Sequence, residues 1–363
     1  MLTLRKEEAM EVVSYKCPNC SAGLSYDPSG VFICDFCASV FDEPDLKATE
    51  ENFEKANNRS DYSKPDLENE IWQYITYYSC PNCGAGLITD STTVASFCLY
   101  CHNPVIVAKE VSGELKPDYV IPFSISEEKA KNLFNGWCSK KPYLAKGFYN
   151  EERVETLKGV YYPFWILDIQ QHGHLNGIGK KSRSWKVGDF LYEETSVYDV
   201  SRSASIDFSD ITFPAIKKNR MAILNGIMPF DLSKKVDFSM SYLSGFFADK
   251  KNQEKEVFRD AVNRTTTNIA SESIKASTLG YDSVRISDFS LEAAKEKWSY
   301  VLFPVWMLTY NYKDEEYYFA INGSTGKVAG RVPTNNLKLF ALFLLITIII
   351  AGLMSVLGIR VKP

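Results

Sequence analysis

The rhythm of hydrophobic and polar positions changes several times along this chain. Short runs rich in β-branched and aromatic residues predict strands at 105–111 and 119–123. Ser126 then stands where a helix N-cap belongs, with Glu127 and Glu128 in the first turn. Ala130, Leu133, Phe134 and Trp137 recur on one helical face, so that helix is expected to run to about Cys138. Farther on, Val257, Phe258, Ala261, Val262 and Ile269 fall at helical spacing and predict one long helix within 253–278. One apolar motif occurs twice, as Val160-Tyr161-Tyr162-Pro163-Phe164-Trp165-Ile166-Leu167 and as Tyr300-Val301-Leu302-Phe303-Pro304-Val305-Trp306-Met307-Leu308. Each copy reads as the first strand of a meander, its Pro-x-Trp aromatics buried. The second copy leads into a hairpin, with strands at 308–312 and 317–321 about a turn at 313–316, and Asn322-Gly323-Ser324-Thr325-Gly326-Lys327 supplies the next turn. Sheet units with helices packed on them predict an α+β domain with an antiparallel sheet over 109–335.

After that domain the polar positions vanish. Residues 339–359 carry no charge and lie between Lys338 and Arg360. At 1.5 Å per residue a helix of that length measures ~30 Å, the thickness of bilayer hydrocarbon. A single C-terminal transmembrane helix over 338–359 is therefore expected, making the chain tail-anchored in a cell membrane.

Eight of the nine cysteines form two copies of one pattern. Cys17, Cys20, Cys34 and Cys37 are spaced C-x2-C-x13-C-x2-C; Cys80, Cys83, Cys98 and Cys101 are spaced C-x2-C-x14-C-x2-C. The residues around the first pair repeat as well: Tyr15, Pro18, Asn19, Ala22, Gly23 and Leu24 return as Tyr78, Pro81, Asn82, Ala85, Gly86 and Leu87. Two CxxC pairs close a tetrahedral thiolate cage around zinc. The pattern predicts two small zinc ribbons, at 14–42 and 77–108, separated by an acidic helical linker at 43–76, with two structural zinc ions. Four thiolates leave no open position for water or substrate, which excludes catalytic zinc at either site. His102 follows a complete ligand set and reads as a surface histidine. Cys138 has no CxxC partner and reads as a small buried residue.

Composition narrows the functional classes. A chain of 363 residues is long for one unit, and two or three are expected. The formal net charge is −4, which offers no general attraction for nucleic acid. The first ribbon sets Lys16 against Asp27, Asp35 and Asp42, without the basic stripe that phosphate binding requires. A membrane-tethered nucleic-acid binder is thus the alternative, and protein binding the leading reading. Residues 1–16 are charged and lack the apolar core of a secretory signal. Closely spaced thiols then imply a reducing compartment, with the N-terminal body in the cytoplasm.

Catalytic signatures are absent: there is no HExxH, GxSxG or GxGxxG. Gly323-Ser324-Thr325-Gly326-Lys327 lacks the spacing of a phosphate loop and reads as a hairpin turn. His172 and His174 alternate toward one face of a strand, but no third metal ligand accompanies them. The basic cluster Lys180-Lys181-Ser182-Arg183-Ser184-Trp185-Lys186 reads as an exposed hairpin loop, or as a contact for anionic lipid headgroups. No enzyme is expected; a hydrolase or transferase within 105–335 would need a polar pocket of converging titratable groups.

Taken together, the paired CPNC ribbons, Pro117-Asp118-Tyr119-Val120-Ile121-Pro122-Phe123, Gly159-Val160-Tyr161-Tyr162-Pro163-Phe164-Trp165, Pro229-Phe230-Asp231-Leu232, Tyr242-Leu243-Ser244-Gly245-Phe246, Leu302-Phe303-Pro304-Val305-Trp306 and the Asn322–Lys327 turn mark a likeness. The chain resembles a family of bacterial membrane proteins labelled as carrying transcription-factor-type zinc ribbons. That resemblance covers nearly the whole chain. It implies a non-enzymatic adaptor that recruits cytosolic proteins to the membrane, with phage-shock-protein-A-like or SPFH-domain proteins as partners in envelope stress.

Overall fold

In the computed structural model, the described residues are 12–42, 75–107, 115–148, 157–217, 222–312 and 315–356, apart from 81, 84, 91, 99–100, 142 and 146–147. The expected linker at 43–76 falls, as far as residue 74, outside them, as do residues 108–111 of the expected strand at 105–111.

The N-terminal third supplies short strands: β1 (Val12–Val13), β2 (Leu24–Tyr26), β3 (Phe32–Cys34), β4 (Val40–Phe41), β5 (Ile75–Ser79), β6 (Gly86–Asp90), β7 (Thr93–Phe97) and β8 (Pro104–Val107). Then come β9 (Tyr119–Val120), helix α1 (Glu127–Ser139), β10 (Lys158–Val187), β11 (Phe190–Pro214), the short helix α2 (Ala222–Ile227), β12 (Val236–Asp237) and β13 (Phe247–Asp249). The chain continues through helix α3 (Arg259–Ala276), β14 (Ser283–Tyr312), β15 (Glu315–Asn322), β16 (Val328–Gly330) and helix α4 (Asn336–Val356). Helix α1 starts as its sequence predicts, with the Lys129 amide donating to Ser126 Oγ at 3.3 Å.

One large sheet organises the molecule, in the order β1-β8-β7-β13-β10-β14-β15-β16, with β11 beside β10. The two Pro-x-Trp motifs are neighbours at its centre. They pair antiparallel, Val160 opposite Val305, Pro163 opposite Leu302 and Trp165 opposite Tyr300. Side chains alternate across the strands and so build a core on each face. On one side Phe123 stacks on Phe246 at 4.3 Å, with Tyr161 and Trp306 beside them. On the other Phe164 stacks on Phe303 at 4.4 Å, against Phe230. Both motif tryptophans are buried and each finds a carbonyl for its indole N–H: Trp165 donates to Gln253 at 2.9 Å and Trp306 to Ile125 at 2.8 Å.

Strands β10, β11 and β14 are 30, 25 and 30 residues long and run on past this core as a three-stranded arm. Helix α3 lies along one face of the arm, burying Val262, Thr266, Ala270 and Ile274. That face of β10 carries Gly173 and Gly179. A Cβ at Gly173 would sit 2.5 Å from Ile274 Cδ1, and one at Gly179 would sit 2.6 Å from the Tyr281 ring. The missing side chains therefore let the helix and the loop after it lie close to the sheet. From Lys180 to the hairpin turn β10 is exposed on both faces.

The membrane-spanning part of the expected architecture is corrected. The described residues form a mainly β-sheet protein with two four-cysteine clusters near the N-terminus, and among them no helix is long and apolar enough to cross a membrane. Helix α4 carries Lys338 in its first turn, and that ammonium donates to the Leu144 carbonyl oxygen at 3.2 Å, so the helix begins against the body. Residues 357–359 of the expected span lie outside the described residues. The single-pass cell-membrane placement with a cytoplasmic body rested on a span over 338–359 and is withdrawn with it.

Candidate metal centres

Each ribbon gathers its four cysteines at the ends of two hairpin-like knuckles. In the first, the Cys17 amide donates to the Ala22 carbonyl at 2.7 Å and the Ser21 amide returns to Cys17 at 2.8 Å. The second knuckle closes in the same way, the Ala38 amide donating to Cys34 at 2.8 Å. Closure needs a left-handed residue at the end of the turn. Ser21 (φ 64°), Ala38 (φ 55°) and His102 (φ 55°) take that conformation. His102 donates its amide to Cys98 at 2.9 Å and is thus a knuckle-closing residue rather than a ligand.

All eight predicted ligands converge, in two separate groups. Within each group the four sulfurs lie within 4.8 Å of one another. Cys17 Sγ is 3.5 Å from Cys37 Sγ, and Cys20 Sγ is 3.4 Å from Cys34 Sγ. In the second group Cys80–Cys101 is 3.7 Å and Cys83–Cys98 is 3.6 Å. Four sulfurs placed tetrahedrally at ~2.3 Å from zinc stand ~3.8 Å apart, so each tetrad can hold one structural zinc ion.

Polar neighbours prepare one thiolate in each tetrad. The Ser39 hydroxyl lies 3.1 Å from Cys37 Sγ, and with the Ser39 backbone it brings that thiol down to about 6. Burial works to raise Cys101, but the Asn82 side-chain N–H at 3.6 Å and the Asn103 backbone outweigh it, and the thiol falls to about 7. Burial pushes Cys80 the other way, up to about 12. Zinc supplies the compensating charge when all four are thiolates.

The ribbons are joined to each other and to the large sheet. Asn103 Nδ2 donates to Ser14 Oγ at 2.5 Å, bridging the two ribbons, and Gly23 has no side chain where Asn103 passes. The second ribbon contributes β7 and β8 to the sheet itself, and β7 pairs with β13 through Ala95 and Ala248. The first ribbon docks through Tyr26, whose amide donates to the Ser244 carbonyl at 2.9 Å, while Ser244 Oγ donates to the Leu24 carbonyl. Gly245, with φ 86°, passes so close to Ser25 that a Cβ on it would sit 2.7 Å from Ser25 Cβ. None of this docking is visible in the cysteine spacing.

The remaining sequence candidates resolve into scaffold. The Asn322–Lys327 turn joins β15 to β16, and Lys327 Nζ donates to the Met228 carbonyl at 2.5 Å, so the lysine is engaged within the fold. His172 and His174 share the uncovered face of the arm, and His174 Nδ1 meets Ser203 Oγ at 2.8 Å. Among the described residues only the two cysteine tetrads assemble a metal-ligand set. An open groove of about 530 Å³ lies along Asp168, Gln170, Asp207, Glu296 and Lys297. Asp168 there accepts the Asp210 amide at 2.9 Å, and Glu296 is held by Arg259 at 2.6 Å.

The architecture defines a zinc-ribbon sheet protein, its two cysteine tetrads stapling the N-terminal edge of one long-stranded sheet. The chain is 32% identical over 334 residues to a Bacillus subtilis (strain 168) protein named "Uncharacterized protein YdjG", a match covering 92% of this chain and 93% of the relative, and it belongs to the same family. No protein-family model matches the chain. No solved structure matches it either.

Proposed function

We propose that the chain is a non-enzymatic adaptor whose zinc-stapled ribbons present a protein-binding face. The observation that supports this reading is Phe36. It sits between Cys34 and Cys37 at the turn of the second knuckle, and 83% of its surface is exposed. Val40 on β4 is 57% exposed beside it in sequence. A rigid, metal-held turn offering an aromatic side chain binds a partner with little loss of conformational entropy. The charges of this ribbon favour a protein over nucleic acid, since Asp27, Asp35 and Asp42 outnumber Lys16. Partners of the phage-shock-protein-A or SPFH type are those that the family resemblance suggests.

The test is direct binding of a purified partner of that type from the same organism, with wild type compared with Phe36→Asp. Both proteins should carry two zinc ions. Binding by wild type and a loss of at least tenfold in the variant is the expected result. Equal affinity would remove the ribbon face from the reading, and absence of binding by wild type would remove the partner class.

A further inference from the structure

We propose that the tip of the three-stranded arm is a lipid-interface probe, inserted into the headgroup region of a bilayer surface. The inference uses a part of the molecule remote from the ribbon knuckles and does not rest on the adaptor reading.

The residues of the tip are layered along the arm. At its end Val187 pairs with Phe190, and Leu191 lies on the opposite face beside Lys186. Phe190 is 72% exposed and Leu191 75%. Two residues farther back, Trp185 and Tyr192 stack at 5.9 Å. Behind them comes the Arg183–Glu194 ion pair, with the Arg183 guanidinium over the Trp185 ring at 5.2 Å, and then Lys181 and Lys180. At ~3.3 Å per residue the aromatic pair lies ~7 Å behind Val187 and Lys181 lies ~20 Å behind it. Interfacial segments bury apolar groups about 5–10 Å deep, with aromatic rings at headgroup level and basic side chains outside them. Along this hairpin Val187, Phe190 and Leu191, then Trp185 and Tyr192, then Arg183, Lys181 and Lys180 follow that order, with Lys186 beside Leu191 and Asp189 in the turn as the two charges within the apolar end.

Shape favours lipid over a protein surface. The tip is two strands wide and carries exposed apolar groups on both faces, so a folded partner would need an enclosing complement to cover them. A fluid interface requires no such complement. Charge contributes modestly: with Arg183 paired to Glu194, Lys180, Lys181 and Lys186 stand against Asp189 and Glu193. Preference for anionic lipid is therefore expected to be small and to fade with salt.

The experiment uses the full zinc-loaded chain and vesicles whose acyl chains carry bromine, made of phosphatidylcholine with or without phosphatidylserine. The emission of Trp185 is the difference between wild type and Trp185→Phe. Bromine is expected to quench that emission, and the quenching to fall several-fold in a Phe190→Ser/Leu191→Ser variant. Trp185 emission indifferent to brominated chains overturns the proposal, whether or not the protein binds the vesicles elsewhere. Quenching that persists undiminished in the double variant overturns it as well.

Discussion

The ring of Tyr26 in the first zinc ribbon lies 5.1 Å from the ring of Tyr242 in the body, edge to face. Tyr26 also contacts Phe32 at 5.2 Å and reaches Phe246, which stacks on Phe123 in the central core. The ribbon is thus an outer layer of that core. Tyr26→Ala should lower the stability of the whole domain by about 3 kcal/mol, the usual cost of emptying a buried aromatic site. Urea unfolding at constant zinc, followed by tryptophan emission, measures it. An unchanged midpoint would mean that the ribbon folds independently of the body.

Metal content follows from the two tetrads. Wild type should bind two zinc ions per chain, and Cys34→Ser one, by elemental analysis of purified protein. Because the ribbons are joined to the sheet, stripping zinc with a strong chelator should lower the thermal midpoint of the body as well as loosen the ribbons. A body that melts unchanged after zinc removal would contradict that coupling.

The arm depends on a position without a side chain. A Cβ at Gly177 would lie 2.6 Å from the Arg285 carbonyl oxygen, a backbone atom that cannot swing aside. Gly177→Ala should force β10 and β14 apart and destabilise the arm by about 1–3 kcal/mol. Faster amide exchange in 283–287, with the ribbons unaffected, is the expected signature.

Asn322 is fully buried and uses both ends of its amide. Its Nδ2 donates to the Ile227 and Pro229 carbonyls at 2.9 and 3.0 Å, and its Oδ1 accepts from Ser324 and Thr325 amides at 2.9 and 3.0 Å. Asn322→Ala leaves those buried groups without partners, at a cost of about 3 kcal/mol or more. Chemical denaturation should show it, and Asn322→Asp, which keeps the acceptor but loses the donor, should rescue little.

Glu296 ties β14 to α3 through Arg259. Burial alone would raise its pKa, but the Arg259 guanidinium and the Trp298 N–H outweigh burial and hold it below the usual glutamate value. A depressed folded-state value contributes stability above the unfolded pKa, and that contribution is lost as pH falls through the folded one. The melting difference between wild type and Glu296→Gln should therefore be present at pH 7, start to shrink as pH falls through the unfolded glutamate value of about 4.3, and vanish only below the lower folded-state value. A difference that grows on acidification would reverse the assignment.

The parts of the molecule written in residue chemistry could be read before the fold was known. Cysteine spacing named all eight members of the two tetrads, because thiolate coordination demands fixed short separations. Ser126 and the acids after it marked the start of α1, since a helix end needs capping. The likeness of the two Pro-x-Trp motifs pointed to equivalent strands, but not to their pairing with each other, which is set by long-range register. The length of the arm was hidden for a physical reason. Gly173, Gly177 and Gly179 occupy the face that α3 and its following loop cover, where packing requires small residues, so the expected alternation of large apolar groups is missing there. The docking of the ribbons is not legible in the sequence because Ser14, Gly23, Ser244 and Gly245 carry little hydrophobic signal. The apolar C-terminal stretch misled in the opposite sense: its composition implied a bilayer span that the described helix does not provide.

Strand β7 of the second ribbon covers the hydrogen-bonding edge of β13, and β1, just ahead of the first ribbon, closes the edge of β8. The zinc-bearing third therefore acts as the selvedge of the fabric. Cut away, it would leave raw backbone amides and the rings around Phe246 facing water, and copies of the trimmed protein would knit to one another along that border.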